Sequence, residues 1–118
     1  MERIYSGERA ESVSTVQVDG RPLSEWLDLR TYTSRGFDWS TDNARATQLA
    51  LAILADYYSQ WGLEHAALSL AEDFRDLVVC WLPYDTWELG EAEVSAAVRA
   101  ILRERGARSN AAPVGVLV

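Results

Sequence analysis

Between Ala44 and Tyr58 the chain carries apolar side chains on nearly every side of a helix. Ala46, Leu49, Ala50, Ile53 and Tyr57 recur at helical spacing, and Leu51, Ala52, Leu54 and Ala55 fill most of the opposite face. A helix that is apolar all round has to be enclosed by other elements, so the fold must wrap this segment. Ser40-Thr41-Asp42-Asn43 offers several N-cap side chains before it, and Gly62 marks its end. The apolar run from Leu49 to Ala55 is the longest in the chain. It falls far short of the roughly 18–20 residues of a membrane span.

The wrapping elements can be read on both sides. The spacing of Ala67, Leu70, Ala71, Phe74, Leu77, Val78 and Trp81 predicts a second helix from about Leu63 to Leu82, stopped by Pro83. Val94, Ala97, Val98, Ile101 and Leu102 predict a third, ending at Gly106. Before the central helix the pattern changes to period two. Ser14-Thr15-Val16-Gln17-Val18 reads as a strand closing on Asp19-Gly20, a pair suited to a tight primed turn. Pro22 makes the returning strand short or places it at an edge. Leu27 to Tyr32 alternates as a second strand candidate, and Arg3 to Ser6 is a third, weaker one. The expected fold class is α+β: a small N-terminal antiparallel sheet of two or three strands with three C-terminal helices packed on it. At 118 residues this is one domain, expected over residues 1–106, with a flexible tail at 107–118.

Charge narrows the function. The formal charge is −7, and all eleven basic residues are arginine. Acids crowd the middle of the chain: residues 61–98 hold eight carboxylates and one arginine, whereas 99–118 hold four arginines and one acid. Nucleic-acid binding rests on neutralising phosphates, so direct binding to DNA or RNA is disfavoured. The N-terminus lacks the basic-then-apolar order of a signal peptide, and one cysteine excludes an internal disulfide. A cytoplasmic protein is expected.

A catalytic kit is hard to assemble. His65 and Cys80 are each unique, and on one helix they would lie about 22 Å apart, beyond reach of one another. Cys80 sits among Val78, Val79, Trp81 and Leu82 and reads as inert packing; His65 reads as a surface residue. Zinc spacing is absent, as are glycine-rich phosphate loops. Glu72, Asp73 and Asp76 fall on adjacent turns, a pattern that suits a hard cation but is commonly a solvated helix face. Asp38 with Asp42, or Asp85 with Glu88, are the paired carboxylates a hydrolase would use, with no separation fixed by the sequence. No catalytic residue, metal or cofactor is therefore assigned, and the chain is read as a non-enzyme.

Aromatic residues give the stronger lead. Trp61 and Trp81 fit the helical core, while Trp26, Trp39, Tyr84 and Trp87 fall in loops or at strand edges. Protein-binding hot spots favour tryptophan, tyrosine and arginine, so Phe37, Asp38, Trp39, Tyr84 and Trp87 form one candidate contact surface. Glu64, Glu72, Asp73 and Asp76 form a second, acidic one.

Gly36-Phe37-Asp38-Trp39, followed at fixed distance by Gln48-Leu49-Ala50-Leu51-Ala52, resembles a recurrent family of short uncharacterised proteins encoded by phages, plasmids and other mobile elements. The likeness runs from Tyr5-Ser6-Gly7 through Asp73-Phe74 to Trp87-Glu88-Leu89 and covers most of residues 4–102. Family versions carry a glycine-rich stretch before the glutamine; here Ser40 to Thr47 holds no glycine. The resemblance implies a mobile-element setting and no reaction. The leading expectation is a non-enzymatic protein-binding accessory protein with an unidentified protein partner. In one version it inhibits a host defence system by presenting a nucleic-acid-like acidic surface. The alternatives are a self-assembling component, such as a homodimer built through Val114–Val118, and a small carboxylate- or Mg-dependent hydrolase.

Overall fold

The computed structural model describes residues 2–117, and the side-chain surroundings of residues 2–108. Four antiparallel strands form one sheet in the order β3-β2-β1-β4, where β1 is Ile4–Ala10, β2 Val13–Val18, β3 Arg21–Pro22 and β4 Thr86–Gly90. Three helices accompany it: α1 over Ala44–Ser59, α2 over Ala67–Leu77 and α3 over Glu91–Leu117. The α+β class and the helix count follow the expectation; the sheet has four strands where two or three were expected.

The hairpin reading holds in detail. Asp19 and Gly20 both take positive φ, 51° and 80°, as a primed two-residue turn requires. Beyond it β3 is two residues long and contains Pro22, pairing with the end of β2. Tyr5 lies opposite Val18 on one side and Leu89 on the other, so β1 is central.

Two strand readings are corrected. Leu27 to Tyr32 is not a strand, because its backbone is claimed by the central helix. Gln48 Oε1 accepts from Tyr32 N–H at 2.7 Å and Thr33 N–H at 3.3 Å, while Gln48 Nε2 donates to the Glu25 and Arg30 carbonyls. The Trp26 carbonyl takes the Leu29 and Arg30 N–H groups to close a turn. Groups that a strand would offer to a neighbour are thus spent on one side chain. The missing strand is Thr86–Gly90, where Trp87 and Leu89 face the core and Thr86 and Glu88 face solvent.

α1 is enclosed as its sequence demands: all ten residues from Ala46 to Ala55 are buried. Asn43 caps it, its side chain accepting from Ala46 N–H. The core around it is continuous, joining Tyr5, Val16, Val18 and Leu89 of the sheet to Phe74, Val79, Val94, Val98 and Ile101 of the helical side. Burial of each large aliphatic or aromatic side chain here is worth roughly 1.5–3 kcal/mol.

The second helix is shorter and interrupted. α2 is flanked by short 3-10 turns at Glu64–Ala66 and Val79–Trp81, with Val78 leaving helical geometry between them. That break shifts the apolar phase. Val79 turns into the core, and Trp81, expected on the buried stripe, is 77% exposed. Trp61, also expected in the core, is 55% exposed. Pro83 still acts as the stop, with Leu82 extended before it. At the other end, α3 does not stop at Gly106. A helical glycine costs only about 1 kcal/mol relative to alanine, and the helix continues to Leu117. Leu102, expected on its buried stripe, is half exposed. Within the 107–118 tail and the Val114–Val118 segment, residues from Ser109 onward lie outside those whose side chains are described. Among the described residues, no helix is long and apolar enough to cross a membrane.

Candidate functional site

The loop before α1 and the strand before α3 meet at one corner of the sheet, organised by Arg9. Tyr5, Gly7 and Arg9 share the inward face of β1, so the arginine enters where the apolar core ends. Its Nε donates to the Tyr84 carbonyl at 2.8 Å and its Nη1 to Ser14 Oγ at 2.9 Å. Its Nη2 bonds Asp38 at 2.6 Å and the Trp39 carbonyl at 3.0 Å. The guanidinium also lies 4.2 Å from the ring centres of both Trp39 and Tyr84. Asp38 is equally occupied, accepting further from Asn43 Nδ2 and from the Trp39 N–H. Burial pushes its carboxyl upward, but bonds from Arg9, Asn43 and Trp39, with the Arg9 charge, win and hold it below the ordinary aspartate value.

This geometry corrects the aromatic contact surface. Phe37, Trp39 and Trp87 are buried, so they offer no face to a partner; Trp39 and Trp87 pack edge to face at 5.7 Å. Trp39 Nε1 bonds the Tyr84 carbonyl at 2.8 Å, and Ser40 Oγ donates to the Leu82 carbonyl. Of the five residues only Tyr84 is exposed, at 65%. The corner is a clasp that ties β1, the loop and β4 together. Arg9 escaped the sequence reading, although its place at an inward position of an alternating strand was the available signal. Trp87 also dictates Gly7 beside it: a Cβ there would fall 2.3 Å from the indole nitrogen.

The acidic residues spread along α2 and the 3-10 turn before it, which carries Glu64. Asp73 bonds Arg105 of α3 at 2.7 Å, and the same arginine reaches the Ser69 carbonyl. Asp76 pairs with Arg75 at 2.8 Å. Glu64 and Glu72 have no ion pair among the described residues. A groove of about 280 Å³ opens between α2 and α3, lined by Asp73, Asp76, Leu77, Ile101, Glu104 and Arg108 among others. Beyond the end of α2 Trp81 is exposed to solvent, yet its Nε1 donates to the Asp76 carbonyl at 3.0 Å. Leu77, which lines the groove, is half exposed.

The reactive side chains remain apart. His65 and Cys80 sit on the 3-10 turns at opposite ends of α2. Cys80 is half-buried rather than packed, its thiol donating to the Asp76 carbonyl at 3.1 Å. Burial and the Asp76 charge push the thiol above its ordinary pKa, which lowers its reactivity at neutral pH. Among the described residues, no three histidine, cysteine, aspartate or glutamate side chains converge as metal ligands do. On the outer face of the sheet Ser6, Glu8, Thr15, Gln17, Thr86 and Glu88 line a shallow trough of about 630 Å³.

Fold and surface together define a small α+β protein: an antiparallel sheet and two helices around one buried helix, with tryptophan and carboxylates displayed at the end of α2. The chain belongs to the family of unknown function DUF6166, whose model matches residues 5–100, from the start of the sheet into α3. No curated protein and no solved structure matches it.

Proposed function

We propose that this chain is a non-enzymatic accessory protein of a phage or other mobile element, acting by binding another protein. The observation that carries the reading is Trp81. An indole 77% exposed to water is tethered by its bond to the Asp76 carbonyl, four residues beyond half-exposed Leu77. A tethered, exposed tryptophan buries large area at small entropic cost when a partner arrives. The mobile-element setting rests on the Gly36-to-Trp39 and Gln48-to-Ala52 resemblance.

The partner surface is basic in this reading, as the nucleic-acid channel of a defence enzyme is. Glu64 and Glu72, without ion pairs among the described residues, supply the long-range field, while Asp73 and Asp76 are half neutralised by Arg105 and Arg75. The test is capture from host lysate by wild type and by a Glu64→Gln/Glu72→Gln variant across a salt series. The expected result is weaker capture by the variant with a shallower salt dependence. Equal capture at every salt concentration contradicts the electrostatic part of the reading.

A further inference from the structure

The sheet has two edges, and they are built differently. β3 is two residues long and ends in Pro22, a strand too short and too poor in donors to accept a neighbour. β4 is five residues long and contains no proline. Its register with β1 is fixed at both ends, by Arg9 N–H on the Asp85 carbonyl and Glu91 N–H on the Arg3 carbonyl, each 2.9 Å. Antiparallel alternation then turns the Trp87 and Leu89 backbone groups toward β1, and those of Thr86 and Glu88 outward. Gly90 N–H, also outward, is taken by Glu93 Oε1 at 2.9 Å. Thr86 and Glu88 have no backbone partner on that side among the described residues.

The charge beside this open edge has one sign. From Asp85 to Glu93 the chain holds four acids and no basic residue. The two arginines of the adjoining strand segment, Arg3 and Arg9, are engaged with Asp56 and Asp38. On the outer face Glu88 lies opposite Ser6 and Glu8 opposite Thr86, so the two carboxylates are diagonal neighbours in the trough. A second copy pairing antiparallel about the middle of β4 would set Glu88 against its own equivalent, and like charges directly opposite are destabilising.

We propose that the β4 edge accepts an extended cationic segment of another protein as a fifth strand, with an arginine or lysine side chain opposite Glu88. The Thr86 and Glu88 main-chain groups give the docking its hydrogen bonds; Glu88 and Glu8 select positive side chains and reject a second copy. This surface is independent of Trp81, so the two proposals fail separately.

The test uses the full chain, labelled with nitrogen-15, and a blocked seven-residue peptide alternating arginine and threonine. Peptide at about ten times its Kd should slow hydrogen exchange of the Thr86 and Glu88 amides about tenfold. A glutamate-for-arginine peptide, and the arginine peptide N-methylated on its edge-facing amides, should leave both rates unchanged. Glu88→Lys should reverse the choice between the arginine and glutamate peptides. The proposal is overturned if the arginine peptide gives no protection at these amides, if either control peptide protects equally, or if Glu88→Lys leaves the choice unaltered. It is also overturned if protection without peptide grows with protein concentration, since a second copy would then be the occupant.

Discussion

Arg9 and Asp38 meet at 2.6 Å across the seam between β1 and the loop that leads into α1, with both side chains largely withdrawn from water. Each nitrogen of the guanidinium donates at least one hydrogen bond, and two aromatic ring centres lie 4.2 Å from it. The Gly36-to-Trp39 segment thereby acts as structural framing. The proposed binding surfaces lie elsewhere, at exposed Trp81 and along the edge of β4.

Acid stability should report this seam. The Asp38 carboxyl titrates below the ordinary aspartate value, so it binds fewer protons in the folded than in the unfolded chain. The stability it contributes is complete above about pH 3.9 and is lost as the pH falls through its lowered folded value. Asp38→Asn should be less stable than wild type at neutral pH and lose less stability on acidification. Urea denaturation midpoints measured from neutral to acid pH check this; parallel curves for the two proteins contradict it.

Gly7→Ala should be destabilising by about 1–3 kcal/mol, because the new methyl meets an indole that cannot retreat without disturbing Trp39. Combining it with Trp87→Leu should recover part of the loss, with a coupling of about 1 kcal/mol in a double-mutant cycle. Thermal unfolding of the four proteins measures it. Strict additivity would mean that the two positions do not touch.

Gln48→Leu keeps the buried volume but strands four backbone groups of the 25–33 loop. With about 1 kcal/mol for each bond, a loss of about 3–4 kcal/mol is expected. The Tyr32 amide should exchange much faster, while amides in the middle of α1 stay protected. Hydrogen exchange read residue by residue distinguishes this local release from general unfolding.

How far the sequence reaches is clear from these same residues. Local chemistry was legible: the Asp19-Gly20 turn, the Asn43 cap region, the Pro83 stop and the apolar girth of α1 each depend on neighbours in the chain. What escaped depends on partners far away. Leu27 to Tyr32 alternates like a strand, yet Gln48 takes its backbone; Trp87 reads as a loop or strand-edge residue, yet β1 pairs Thr86 to Gly90 into the sheet. Trp39 and Trp87 sit in segments that look exposed by sequence, and the clasp around Arg9 buries them. The reverse happened at Trp81, where one non-helical residue, Val78, rotated the following turn outward. Of the acidic candidates, Asp73 and Asp76 have arginine partners, one of them in α3 and 32 residues away in sequence. Charge counting alone cannot see such pairs.

Side-by-side capture of a host protein by wild type, Trp81→Ala and Trp61→Ala tests the central claim most directly. Both tryptophans are more than half exposed, so both variants should keep wild-type stability to within about 1 kcal/mol. Loss of the captured protein with Trp81→Ala and its retention with Trp61→Ala is the predicted result. Undiminished capture by folded Trp81→Ala would contradict the account.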